Sequence, residues 1–201
     1  MTIKKMTLLA TLTAAALVIF MVEAQIDLPF IVPGMKLGLA NTITLFALFY
    51  GPGSAARSAT STSTGAAANT TTGANTNIKN NTDNITTANA LLMLIARILL
   101  GALFIGRITA FIYSITGGLI GFAAQAAMKK IVTDKQIWVC GAAGAVMHNV
   151  GQILAAMLIT GTSAIAAYLP ILIIAGIITG VLTGMVAQLA VARLAPHKYS
   201  T

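Results

Sequence analysis

The sequence predicts an all-α integral membrane protein with six transmembrane helices. Of its 201 residues, 57 % are hydrophobic and only 8 % are charged, whereas about 25 % of the residues in an ordinary soluble domain are charged. The mean hydropathy is +0.89. So few charges cannot cover the surface of a soluble globule, which excludes a soluble enzyme. The lipid bilayer is therefore the first expected partner.

Six apolar segments follow one another along the chain. Each is interpreted as a helix, because an open sheet would leave backbone groups without hydrogen bonds in lipid. A helical span needs roughly 20 residues, and the second segment is short by this measure. The segments cover residues 6–24, 37–50, 90–105, 109–128, 137–159 and 169–194.

Residues 51–89 interrupt this pattern between the second and third segments. They consist mainly of Thr, Asn, Ala, Ser and Gly, and large apolar side chains are almost absent. Such a composition does not bury enough apolar surface to offset the chain entropy lost on folding. We therefore expect one membrane domain over residues 1–201, with a disordered, low-complexity insert at 51–89.

Basic residues predict the orientation in the membrane. The net charge is +8, but the positive residues are scattered between apolar segments, which argues against a nucleic-acid partner. If the N-terminus is inside, nine basic residues lie inside and two outside, as the positive-inside rule requires. We expect a multi-pass plasma-membrane protein with both termini in the cytoplasm. The inner residues are Lys4, Lys5, Arg57, Lys79, Lys129, Lys130, Lys135, Arg193 and Lys198, and the outer ones are Lys36 and Arg107.

Polar side chains at bilayer depth are costly and usually face a cavity or a partner helix. Nearly all of them, including Glu23 at the outer end of the first segment, fall in the outward half of the predicted bundle. Singly, each has a local interpretation: Lys36 and Arg107 can reach lipid headgroups, and the others can join helices. As a group they predict an outward-facing pocket with a positive bias. The candidate ligand-binding residues are Lys36, Asn41, Arg97, Arg107, His148, Asn149 and Gln152.

Small residues recur at helical spacing. Gly176, Gly180 and Gly184 lie four residues apart on the sixth segment, which predicts a groove where another helix backbone approaches closely. On the first segment, Ala10 and Ala14 form a small-xxx-small face. That face can meet another helix of the fold or a separate subunit.

Residues for catalysis or metal binding are scarce. The only acids are Glu23, Asp27, Asp83 and Asp134, and none of them forms a pair suited to general acid–base work or to magnesium. The chain has no phosphate-binding P-loop motif, and its two histidines and one cysteine do not make a metal site. We expect no catalytic residue, no metal and no cofactor.

Several motifs resemble one known family. They are residues 33–41 (PGMKLGLAN), 97–101 (RILLG), 144–152 (GAVMHNVGQ) and 176–180 (GIITG), together with Gly117 and Gly118. These resemble the Gx transporter family, which is also described as heptaprenyl diphosphate synthase component I. The resemblance covers nearly the whole chain apart from residues 51–89.

The resemblance implies a fold similar to the S components of energy-coupling factor transporters. Those six-helix proteins bind a small molecule from outside and dock on a transmembrane T subunit with two ATPases. Docking often uses an Ala-xxx-Ala face, which Ala10 and Ala14 match. The other family description implies a non-catalytic membrane partner of a soluble prenyl diphosphate synthase subunit in menaquinone side-chain synthesis.

Three functions stay open at this point. The first is a substrate-binding importer subunit for an anionic or isoprenoid-related ligand. The second is the accessory synthase component. The third is a purely structural membrane protein whose polar residues only join helices.

Overall fold

The computed structural model describes residues 3–25, 38–50 and 87–194, and within these ranges the chain is all-helical, with no strand. Six α-helices are present in this part, close to the six predicted segments. The third helix begins at Thr87, three residues earlier than predicted. The helices are α1 (Ile3–Glu23), α2 (Asn41–Tyr50), α3 (Thr87–Ile105), α4 (Ile108–Met128), α5 (Ile137–Thr160) and α6 (Leu169–Leu194).

Five of these six helices are long and apolar enough to cross a membrane. The exception is α2, whose ten residues give a helix about 15 Å long, half of the roughly 30 Å hydrocarbon core of a bilayer. The described residues therefore contain five candidate spans rather than the predicted six. Most of the predicted insert, residues 51–86, lies outside the described residues.

Long apolar side chains cover the outside of the bundle. Leu103, Leu158 and Leu189, among many others, are exposed. A water-soluble protein rarely exposes apolar area on this scale, which instead marks contact with a membrane or another protein. The fold is thus that of a multi-pass membrane protein in contact with lipid.

Glycines bring α5 into backbone contact with both of its main neighbours. A Cβ atom at Gly180 of α6 would lie 2.6 Å from Cα of Ala142 in α5. On the opposite side of α5, a Cβ at Gly121 of α4 would lie 2.8 Å from the carbonyl oxygen of Gly144. The predicted glycine groove on α6 is confirmed, and its occupant is α5. The helices α4, α5 and α6 form a closely packed core.

The helices α1, α2 and α3 pack together on this core. The ring of Phe20 in α1 occupies the space that a side chain at Gly101 of α3 would need. At the other end of the bundle, Lys129 at the end of α4 donates a hydrogen bond to the carbonyl of Leu48 in α2. Its ammonium group also lies 5.7 Å from the ring centroid of Phe49. Specific contacts therefore hold the layer of α1, α2 and α3 in place at both ends of the bundle.

We predict that Gly180→Leu destabilises the protein by about 1–3 kcal/mol or more, because the new side chain must push α5 away from α6. Thermal unfolding of the purified protein in detergent measures the effect. Ala192→Leu is the matched control, since Ala192 lies on the same helix and is exposed. Equal unfolding temperatures for the two variants would contradict the backbone contact.

Candidate functional site

A cavity opens where α1, α2 and α3 meet α4 and α5. It holds about 230 Å³ of empty space, including its open mouth. The first five helices of the fold all contribute to it. Its lining residues are Phe20 and Glu23 from α1, Gly38, Ala40 and Asn41 around the start of α2, Arg97 from α3, Ser114 from α4 and His148 from α5.

Arg97 is the buried cation of this cavity, with only 3 % of its surface exposed. Its Nη2 donates a 3.0 Å hydrogen bond to Oδ1 of Asn41. The guanidinium carbon lies 5.9 Å from the ring centroid of Phe20, within cation–π range. Its Nε and Nη1 have no hydrogen-bond partner among the described residues. Buried polar groups are nearly always hydrogen-bonded, so these two N–H groups are available to an acceptor inside the cavity.

Glu23 joins the end of α1 to the start of α2. Its Oε1 accepts hydrogen bonds from the backbone N–H of Gly38 and from that of Leu39, the latter at 3.2 Å. The side chain is 4 % exposed, and it lines the same cavity as Arg97. Glu23 is not among the seven candidate ligand-binding residues, although an acid at bilayer depth is by itself a mark of function.

The described lining residues carry one positive and one negative side chain, Arg97 and Glu23. The predicted positive bias also counted Lys36, which lies outside the described residues, and Arg107, which borders a second cleft.

Gly38 has a backbone conformation and a position that suit only glycine. Its φ is +81°, a left-handed value that other L-residues adopt at a cost. A Cβ atom here would also lie 3.1 Å from Nδ2 of Asn41 and 3.2 Å from Cδ2 of His148. The bend at Gly38 thus turns its N–H to Glu23 while keeping the cavity side free of a side chain.

His148 and Gln152 lie one turn apart on α5, as their spacing predicts. Nε2 of Gln152 is 2.9 Å from Nε2 of His148. Because an amide nitrogen donates, the imidazole nitrogen is the acceptor in this bond. Gln152 is fully buried and does not line the cavity. It therefore supports His148 from behind.

Asn149 and Arg107 lie away from the cavity. Asn149 is fully buried, and its Nδ2 donates a 2.7 Å hydrogen bond to the carbonyl of Leu172 in α6. It therefore joins two helices, the local interpretation considered for it. Arg107 is exposed and borders a second cleft of about 170 Å³, which shares Phe20 and Ser114 with the first.

Of the six candidate ligand-binding residues that the structure describes, the cavity gathers three, Asn41, Arg97 and His148. Sequence reasoning did not select Phe20, Gly38 or Ser114. Phe20 and Ser114 are ordinary membrane-helix residues whose sequence gave no signal. Gly38 belongs to the PGMKLGLAN motif, which pointed to the right region. Within the described residues, no group of three or more His, Cys, Asp or Glu side chains is placed to hold a metal ion.

The fold and the cavity define a multi-pass membrane protein with a buried polar site. The family model for heptaprenyl diphosphate synthase component I matches residues 12–67 and 74–190. The chain therefore belongs to this family, as its motifs predicted. Within the predicted insert, the match omits only residues 68–73. No curated protein and no solved structure matches the chain significantly.

We predict that Gly38→Ala lowers the stability more than Gly106→Ala does. Both glycines have positive φ, so both variants carry the backbone penalty of about 1 kcal/mol for a left-handed alanine. Only the variant at Gly38 crowds Asn41 and His148, whereas nothing lies within 4 Å of a Cβ at Gly106. Thermal unfolding of both variants measures the difference, and equal losses would show that the cavity tolerates a methyl group.

Proposed function

We propose that this protein is a membrane-embedded subunit that binds a small molecule in the Arg97 cavity. One observation carries the proposal: a guanidinium that is 3 % exposed keeps two N–H groups without a partner among the described residues. A charge at this depth is costly and marks a functional site by default. Acceptor atoms on a ligand would satisfy these donors.

The chemistry of the cavity selects the ligand by its functional group and its size. A planar guanidinium pairs well with a carboxylate or phosphate, which offers two oxygens to two N–H groups. Asn41, Ser114 and His148 add further hydrogen-bonding groups to the lining. The space of about 230 Å³ includes the open mouth, so the cavity itself is small. Only the anionic head group of a ligand would enter it, and the chain of an isoprenoid ligand would extend outside.

The most specific form of the proposal is the substrate-binding, S-component-like subunit of a small-molecule importer. The motifs resemble the Gx transporter family, and that resemblance implies an S-component-like fold. The cavity lies towards the end of the bundle where α1 ends and α2 begins. With the N-terminus of a plasma-membrane protein in the cytoplasm, the end of α1 faces outward, and so does the cavity. A ligand would then be captured from outside the cell.

An importer of this kind needs partners that supply energy. The proposed partners are a transmembrane T subunit and its ATPases, docked on the face of α1 that carries Ala10 and Ala14. Support comes from their exposure, since both alanines lie on the surface of the described bundle. Small residues allow close contact between membrane helices.

The family description favours a second candidate. In that case the chain is a non-catalytic membrane component of heptaprenyl diphosphate synthase, acting with a soluble prenyl diphosphate synthase subunit in menaquinone side-chain synthesis. The Arg97 cavity would then hold the phosphate end of an isoprenoid compound. Co-purification from the native membrane separates the candidates. A T subunit with ATPases supports the importer, and a soluble prenyltransferase without them supports the synthase.

We predict that Arg97→Gln lowers the affinity for the bound small molecule at least about tenfold, because charge-assisted hydrogen bonds contribute about 1.5–3 kcal/mol. Native mass spectrometry of the purified protein measures retention of the molecule. Arg193→Gln is the matched control, since Arg193 is an exposed residue near the end of α6. Equal retention by both variants would rule out Arg97 as the binding group.

We predict that Ala10→Leu combined with Ala14→Leu abolishes co-purification with the T subunit, because two bulky side chains prevent close helix contact. Unfolding temperature and small-molecule retention should stay unchanged, since both positions are exposed. Ala192→Leu, on exposed α6 surface, is the control. Unchanged recovery of the T subunit would place the docking surface elsewhere.

A further inference from the structure

The cavity contains a carboxylate next to the group that is proposed to bind an anion. Glu23 and Arg97 both line it, and both are almost fully buried. An uncompensated guanidinium inside a membrane protein is strongly disfavoured. A nearby carboxylate lowers this cost when the cavity is empty.

We infer that Glu23 is an internal anion of the site: it neutralises Arg97 in the empty cavity and competes with the anionic group of the ligand. This inference rests on the proposed binding at Arg97 and adds a residue that sets its affinity. An incoming anion gains the attraction of Arg97 and also meets the repulsion of Glu23. The observed affinity is the balance of the two.

The geometry leaves room for this competition. Arg97 uses Nη2 for Asn41, while Nε and Nη1 have no hydrogen-bond partner among the described residues. Glu23 directs Oε1 to the two backbone N–H groups before α2. Arg97 therefore keeps two donor nitrogens for a ligand, while Glu23 brings a negative charge to the lining of the same cavity.

Glu23→Gln removes the negative charge of the side chain and keeps its hydrogen bonds. The glutamine carbonyl has nearly the same shape and can accept the same two backbone hydrogen bonds, so the joint between α1 and α2 is kept. Only the negative charge is removed. A buried like charge is weakly screened by water and salt. We therefore expect the affinity for an anion to rise at least about tenfold.

Asn41→Asp is the converse variant. Aspartate keeps an acceptor oxygen for Nη2 of Arg97 and adds a second negative charge at the cavity. We expect it to weaken anion binding at least about tenfold. The inference stays testable with this variant if Glu23→Gln fails to fold. Asp134→Asn is the matched control, because it removes an acid from the turn between α4 and α5, and Asp134 is not among the residues that line the cavity.

The experiment titrates inorganic phosphate into the full-length protein in detergent and follows binding by calorimetry and by the shift in unfolding temperature. The variants are Glu23→Gln, Asn41→Asp, Arg97→Gln, Asp134→Asn and the double variant Glu23→Gln/Arg97→Gln. The expected result is tighter binding by Glu23→Gln, weaker binding by Asn41→Asp and unchanged binding by Asp134→Asn. The gain from Glu23→Gln should disappear when Arg97 is also replaced.

Three results would overturn the inference: equal or weaker phosphate binding by Glu23→Gln, a gain that persists without Arg97, or no binding by any variant. If Arg97→Gln loses phosphate while Glu23→Gln gains nothing, only the competition is wrong. If Arg97→Gln binds phosphate as well as the unmodified protein does, binding at Arg97 fails too.

Discussion

The backbone contact of α5 with α4 and α6 is the constraint on which the rest of the structure depends. Gly180 on one side and Gly121 on the other remove the side chains that would hold these helices apart. With α5 fixed between its neighbours, the direction of each of its polar residues is also fixed. His148 faces the cavity, and Asn149, the next residue, faces α6. The glycines thus position the polar groups as well as the helices.

The site lies where this glycine-rich core meets the layer of α1, α2 and α3. Arg97 and Asn41 form one hydrogen-bonded pair across two helices, and Glu23 forms a second link between α1 and the backbone before α2. Each link uses a polar group that would be costly in lipid if left alone. At this end of the bundle, the polar interactions that join the layer therefore also line the cavity.

Hydropathy and periodicity predicted the helices and the glycine groove because both depend on local spacing. Asn41, Arg97 and His148 could be singled out for a related reason, since a polar residue at bilayer depth stands out in any apolar segment, and the structure brings these three to one cavity. Sequence could not show that Asn149 turns to α6 or that Glu23 meets the start of α2, because these contacts depend on which helices are neighbours. The shortness of α2 was visible in its segment, but the count of six spans disregarded it.

The joint at Glu23 has a consequence for how sequences of this fold can vary. Its donors are main-chain N–H groups of residues 38 and 39, which every amino acid except proline carries. A substitution can therefore replace the acid at position 23 or disfavour the left-handed conformation at position 38. A replacement by any residue other than proline leaves the two backbone donors in place. The acceptor can therefore vary between sequences, whereas the two donors stay. A homologue that lacks an acid at the position of Glu23 would have to satisfy the same two donors by another acceptor.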